Sequence, residues 1–348
     1  IKRNRASIPK LIIHKIGNKF NDTKNAFSES PVVFDEDSYQ LMLPYLLKPF
    51  AHVTERFKFT HHADVNLNEI NSYAQRLFQD EESFVEVSKN VVAHLYEQSN
   101  SAQIKTGDVL VVLFDDVEYK EILTQAIGIY KIESKTHFFQ TFLEGNSYDI
   151  AVQKGISTKK IDKGCLIVNY KDDEGLAVFS VDNNNYDAQY WTRNFLNVKY
   201  ADDSNHHTLT YIDLCREFSG EVLKPEYSTQ EHSHFLARTI DFLKENETVN
   251  IHDFKEEVFD EEDMKKQFDD YKKSFEEERG LLVRNQFHVA DLVVKKQKQK
   301  IRTEIKLDTH IQIKLDVEAP DASAEYLELG YDQEKKMKYY KVYFNEEE

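Results

Sequence analysis

The apolar positions of the chain follow a strand period in some segments and a helical period in others. Residues 8–17 form an apolar, β-branched run that ends at a glycine, which predicts a strand. Asn68 is a suitable capping residue for a helix that reaches residue 78. A second helix is predicted by apolar residues that recur at helical spacing, namely Phe84, Val87, Val91 and Leu95.

Strand signals dominate from residue 107 onward. Apolar and β-branched runs occur at residues 109–114, 122–132, 136–143, 165–170 and 176–181. Polar or glycine-containing turns, such as residues 171–175, separate them. A short apolar helix is also predicted earlier in the chain, over residues 38–50. The N-terminal half is therefore predicted to hold helices beside a largely antiparallel sheet.

Helical patterns return in the second half of the chain. They cover residues 208–218, where Gly220 is expected to end the helix, and residues 229–244. Asp260 is predicted to cap a further helix that carries an apolar stripe and ends at Gly280. The chain is thus predicted to continue as a helical region after the sheet.

The C-terminal stretch alternates apolar and polar residues, which predicts a hairpin with one buried face. The expected buried residues are Ile301, Ile305, Ile311, Ile313 and Leu315, and the expected exposed ones are Arg302, Lys306 and Lys314. Two further runs extend the hairpin to a small antiparallel sheet. The predicted fold class is α+β, with a mixed domain over residues 1–200 and a helical region plus C-terminal sheet over residues 201–348.

The composition describes an acidic protein with enough apolar bulk for a core. Lys and Arg number 45 against 62 Asp and Glu, which gives a formal net charge of −17. Residues 253–279 alone hold twelve acidic residues against six basic ones, a pattern typical of a solvated helix face. Whole-molecule repulsion works against indiscriminate binding to a polyanion, so any nucleic-acid surface is expected to be local.

Cellular location is constrained by the cysteines and by the hydropathy. Cys165 and Cys215 offer neither a disulfide framework nor a cysteine-rich zinc site, which favours a reducing cytoplasm. No apolar run approaches the length that spans a bilayer, and the first residues lack the apolar core of a signal peptide. A cytoplasmic protein without membrane contact is therefore expected.

The strongest local charge feature is a basic cluster near residue 300. Its members are Lys295, Lys296, Lys298, Lys300, Arg302 and Lys306, and only Glu304 interrupts it. Long cationic side chains at this density are suited to the phosphate backbone of a nucleic acid, because phosphate contact needs charge but no base-reading pattern. The alternative is a solvated turn between a helix and the hairpin.

Catalytic patterns are weak. Asp116, Glu118 and Lys120 contain the acid-x-Lys spacing with which some metal-dependent nucleases hold Mg²⁺. Such short patterns are common in a chain that is 31% charged, so a charge pair at a turn or strand end is the favoured interpretation. The paired histidines lack metal-ligand spacing. Phosphate-binding, nucleotide-binding and hydrolase motifs are absent from the sequence. We therefore expect neither a cofactor nor a resident metal, and no enzyme activity.

Three stretches of the chain resemble a known family. They are residues 190–196 (YWTRNFL), residues 211–220 (YIDLCREFSG), and residues 289–292 (VADL), which a basic segment and alternating strands follow. In these stretches and in its order of elements the chain resembles the bacterial 37-kDa nucleoid-associated protein family of the NdpA type. The resemblance implies a place in the nucleoid, contact with double-stranded DNA, and a role in organising or maintaining the bacterial chromosome.

These observations lead to one main hypothesis and two alternatives. The main one is a nucleoid-associated protein that binds double-stranded DNA with little sequence preference, as a homodimer or other homo-oligomer, because weak contacts gain from being presented twice. The first alternative is a protein-interaction module that a partner in chromosome maintenance brings to the nucleoid. The second is a Mg-dependent nuclease built on Asp116, Glu118 and Lys120.

Overall fold

The computed structural model describes residues 1–51, 53–184, 189–223, 229–298, 304–306, 311–314 and 326–346. The chain divides into two compact units, residues 1–201 and residues 202–348. Among the described residues, every helix is too short or too polar to cross a bilayer.

A seven-stranded antiparallel sheet forms the centre of the first unit. Its strands lie in the order β1-β3-β4-β7-β8-β2-β9. The bounds are β1 Ser7–Ile16, β2 Phe57–Phe59, β3 Gly107–Tyr119, β4 Ile122–Ile132, β7 Lys163–Asp172, β8 Gly175–Asp182 and β9 Val198–Tyr200. Within the described residues, the strands β5 Lys135–Glu144 and β6 Ser147–Ile156 pair only with each other, as a separate hairpin.

Both faces of the large sheet are covered, which explains the continuous apolar run in β3. Alternate residues of this run belong to two different cores: Val109, Val111 and Leu113 to one, and Leu110, Val112 and Phe114 to the other. Helices α2 Glu69–Gln79 and α3 Phe84–Glu97 contribute to the first core, and α1 Glu36–Leu47 contributes to the second. Each such buried side chain contributes about 1.5–3 kcal/mol of hydrophobic free energy.

The second unit is mainly helical. Its helices are α4 Ser204–Phe218, α5 Thr229–Glu245, α6 Ile251–Val258, α7 Glu262–Arg279 and α8 Asp291–Lys298. In the part of this unit that the structure describes, three two-stranded antiparallel sheets accompany them: β10 Thr248–Asn250 with β11 Gln286–His288, β12 Glu304–Lys306 with β13 Gln312–Lys314, and β14 Leu327–Asp332 with β15 Met337–Val342. Aromatic rings fill the helical core, with Phe218 in edge contact with Phe235, Phe259, Phe268 and Tyr271.

The predicted α+β class is confirmed, and the local differences have physical causes. Gly220 does not end α4, because the chain continues from Ser219 into a wider π-helical turn through Leu223. Asp260 does not cap α7, which begins after Glu261 without a side-chain cap. Gly280 does end α7, with the left-handed φ of 60° that glycine adopts without strain.

The predicted C-terminal hairpin forms, but the prediction of which residues are buried was wrong at Ile311. Ile305 lies opposite Ile313 in the register, as the alternation requires. Ile311 is 56% exposed, because it precedes the short strand β13 instead of lying within it. Ile301, Arg302 and Leu315 lie outside the described residues, as do the side chains of Ile305, Lys306, Ile313 and Lys314.

Candidate nucleic-acid interface

Helix α8 carries three of the six predicted basic residues. Its buried side consists of Val293, Val294 and Gln297, which are 1 to 3% exposed and anchor the helix among α4 and α5. The Thr208 hydroxyl oxygen accepts a hydrogen bond of 2.9 Å from the backbone N–H of Ala290, just before the helix begins. The helix is therefore held from one side, and the other side is open to solvent.

The lysines of α8 lie in its last turn. Lys295 is exposed, and Lys296 and Lys298 are half-buried. Lys295 and Lys298 are three residues apart and therefore lie on neighbouring positions of one helical face. Cations are favourable here, because the carbonyl end of a helix carries partial negative charge. The structure thus places Lys295, Lys296 and Lys298 on a helix, and the segment that follows, with Lys300 and Arg302, lies outside the described residues.

The rest of the predicted cluster is only partly described. Lys300 and Arg302 lie outside the described residues. Lys306 closes β12, and only its backbone position is described. The grouping of all six residues, Lys295, Lys296, Lys298, Lys300, Arg302 and Lys306, into one surface therefore stays a prediction.

In the acidic helices of the same unit, lysines form ion pairs with acidic residues of those helices. In α6 and α7, Lys255 pairs with Asp269 at 2.7 Å, and Lys265 pairs with Glu256 at 2.7 Å. The hydrogen bond from Lys265 holds the pKa of Glu256 below its usual value. Because residues 253–279 hold twelve acids and six basic residues, this surface keeps a negative surplus that repels phosphate.

A second basic site lies in the first unit, where sequence reasoning did not predict one. A pocket of about 590 Å³ opens at the end of the large sheet where β1 ends and β3 begins. Its basic lining residues are Lys15, Lys24, Lys135, His137 and Lys154. They come from distant segments that the sheet order brings together, so no local run of charge in the sequence indicates this site.

Asp108 organises this pocket. Its carboxylate is almost fully buried and accepts hydrogen bonds from Lys15 and, at 3.0 Å, from Lys135. The bond to Asp108 raises the pKa of Lys135 above its usual value. Lys24 and Lys154 are exposed beside this arrangement. The pocket is thus a compact cationic concavity on an acidic chain, and its chemistry suits a phosphate or another anion.

The three residues of the nuclease pattern, Asp116, Glu118 and Lys120, do not form one site in the structure. Glu118 forms an ion pair of 2.6 Å with Lys2. Lys120 lies 3.9 Å from Asp172 and over the ring of Tyr170. Asp116 occupies an irregular point of β3 with a positive φ of 53°. Within the described ranges, no three His, Cys, Asp or Glu side chains are arranged to hold a metal ion.

Fold and surface together define the class of protein. It is a two-unit α+β protein with local basic surfaces on an acidic chain. The sequence model of the nucleoid-associated protein YejK family matches residues 12–337, so the chain belongs to that family. The suspected resemblance is confirmed, and family membership supports a role in the nucleoid. Among curated proteins, none matches the chain in sequence.

Proposed function

We propose that this protein binds the phosphate backbone of double-stranded DNA with little sequence preference and thereby takes part in chromosome organisation or maintenance in the nucleoid of the cytoplasm. The observation that carries the proposal is helix α8, whose buried side fixes it while Lys295, Lys296 and Lys298 occupy its last turn. Phosphate contacts position a protein on DNA without reading its bases. The proposed binding residues are Lys295, Lys296, Lys298, Lys300, Arg302 and Lys306.

Salt dependence provides the quantitative test. If all six residues contact phosphates, the logarithm of the affinity falls against the logarithm of the salt concentration with a slope of about −5, since each contact contributes roughly −0.9. Replacing Lys295, Lys296, Lys298 and Lys300 with Gln is expected to weaken binding to all duplexes alike. The same change flattens the slope by about 3 to 4 units.

The experiment is a fluorescence titration of two unrelated duplexes at several salt concentrations, with and without Mg²⁺. The matched control replaces four exposed lysines of the first unit that line neither basic site, Lys48, Lys159, Lys171 and Lys199. This control has the same net charge as the test variant and is expected to keep most of the slope. Equal slopes for the wild type and the test variant would remove these residues from the interface, and duplex cleavage with Mg²⁺ would favour the nuclease instead.

A second candidate function is a protein-interaction module that reaches the nucleoid through a partner. The negative surplus of residues 253–279 favours it, because such a surface suits a basic protein surface and not a phosphate backbone. Absence of duplex binding by the intact wild-type protein at low salt would favour this function over direct binding. We propose a homodimer in either case.

A further inference from the structure

The hairpin of β5 and β6 differs from every other strand pair of the first unit in its exposure. Every residue of β5 is exposed, as are most residues of β6. An isolated two-stranded hairpin is at best marginally stable in water, and it gains stability when a face is covered. We infer that this hairpin is the surface through which two copies of the chain associate. The inference rests on the homodimer proposed above and names the surface through which its two copies associate.

The register places the apolar side chains on one face. Phe139 lies opposite Val152, Thr141 opposite Ile150, and Leu143 opposite Tyr148, and side chains directly opposite each other share a face. Their exposed fractions are high, at 76% for Phe139, 63% for Val152, 62% for Ile150, 61% for Leu143 and 80% for Tyr148. This apolar face therefore has no partner within the described part of the chain.

The other face is more polar, although it is not free of aromatic residues. Gln140 and Gln153 lie on it, together with Asp149. Phe138 and Phe142 also belong to this face, but they are less exposed, at 52% and 40%. The hairpin thus has one face suited to burial and one suited to water, as in a strand pair that covers a core.

The size of the apolar face fits a modest dimer interface. Two of the five side chains on this face are aromatic, and aromatic side chains bury roughly 150–250 Å² each. Together with Leu143, Ile150 and Val152 at these exposures they offer on the order of 500 Å² of apolar surface per hairpin. Two copies then bury about 1,000 Å² through these side chains alone, near the lower end of stable interfaces. A contiguous apolar patch of this size equals the largest patch on a typical soluble monomer, and such patches are often functional.

Charge selects the orientation of the two copies. Lys135, His137 and Lys154 lie at the base of the hairpin on its apolar face, whereas Glu144 and Asp149 lie at its tip on the other face. Strands of ten residues span about 33 Å, so a two-fold antiparallel arrangement keeps the basic residues of the two copies apart and places them beside the uncharged tip of the other apolar face. A parallel arrangement would instead place like charges together. The acids at the tip oppose insertion of the hairpin into DNA, and the area of the apolar face fits a second copy.

The test measures the mass of the full-length protein by light scattering and sedimentation at micromolar concentration. The wild type is expected at twice the 40.9 kDa of one chain. Changing Phe139→Thr, Tyr148→Thr and Val152→Thr is expected to raise the dimer dissociation constant by at least roughly a hundredfold, because these are central apolar contacts. The matched control, Phe138→Thr with Phe142→Thr, alters the opposite face and is expected to keep the dimer.

Unchanged Trp191 fluorescence verifies that each variant is folded. A monomeric wild type, or a dimer that survives the three-threonine change, overturns the inference.

Failure of this inference is separable from failure of the proposed function. The mass measurement contains no DNA, and the slope test changes none of the hairpin residues. A dimer that does not bind duplex DNA refutes the DNA-binding function alone, whereas a monomer that binds with the expected slope refutes the homodimer and its hairpin interface but leaves DNA binding standing.

Discussion

The buried histidine of β1 makes the stability of the first unit depend on pH in a predictable direction. His14 is only 1% exposed. Its Nδ1 accepts a hydrogen bond of 3.0 Å from the backbone N–H of Ser28, so Nε2 carries the proton and donates to the Ser88 hydroxyl oxygen at 2.9 Å. Burial, reinforced by the nearby charge of Lys89, lowers the pKa of His14 from 6.5 to about 4. The folded unit therefore holds the neutral imidazole.

The sign and the size of the effect follow from proton binding. Below pH 6.5 the unfolded chain binds a proton at His14, whereas the folded unit binds that proton only when the pH falls to about 4. The free energy of unfolding therefore falls as the pH drops through this window. Between pH 7.5 and pH 5.0 the loss from His14 reaches at most about 2 kcal/mol, and about 1 kcal/mol where solvent screens part of the shift.

Urea denaturation followed by Trp191 fluorescence measures this effect. Trp191 is the single tryptophan of the chain and is buried in the core of the first unit, so its signal reports that unit. His14→Asn keeps an acceptor near the position of Nδ1 and removes the titration. We expect the variant to lose about 1 to 2 kcal/mol less than the wild type between the two pH values. The exposed His62→Asn serves as control, and equal losses in the wild type and in His14→Asn would refute the reasoning.

Two further substitutions test the packing and capping of the two units. Phe218→Ala removes a ring that contacts four other aromatic rings, and it is expected to lower the free energy of unfolding of the second unit by about 3–5 kcal/mol in urea titrations followed by circular dichroism; a loss below 1 kcal/mol would contradict this packing. Asn68→Ala removes the side-chain oxygen that accepts a hydrogen bond from the backbone N–H of Asn71. It also leaves the Leu196 carbonyl without the hydrogen bond that the Asn68 amide donates. The expected loss is about 2–4 kcal/mol, read from Trp191, and a neutral result would contradict the capping role.

Elements with strong local signals were predictable from the sequence. Asn68 caps α2 as expected, and the stripe of Phe84, Val87, Val91 and Leu95 is the buried face of α3. The strand beginning near residue 8 is β1. These features depend on neighbours within a few residues, where capping geometry and hydrophobic period leave little choice.

Features that depend on distant pairings were not predictable in this way. Strand β6 was not predicted, although Tyr148, Ile150 and Val152 alternate with more polar residues, a pattern that is typical of a half-buried strand. The basic pocket also escaped, because Lys15 and Lys135 meet at Asp108 only through the order of β1, β3 and β4. Loop closure over more than a hundred residues carries no local composition signal, so only the sheet topology reveals such a site.

The uneven distribution of charge also determines how the DNA titration is to be interpreted. The first unit holds 23 Lys and Arg against 27 Asp and Glu, whereas the second unit, which carries the proposed DNA-binding residues, holds 22 against 35. Added salt weakens phosphate contacts, but it also screens the repulsion between DNA and these acids over the roughly 8 Å Debye length at physiological salt. The second effect opposes the first, so the absolute slope is expected to be shallower than −5. The difference between the four-glutamine variant and its charge-matched control cancels the common repulsion, and that difference measures the phosphate contacts themselves.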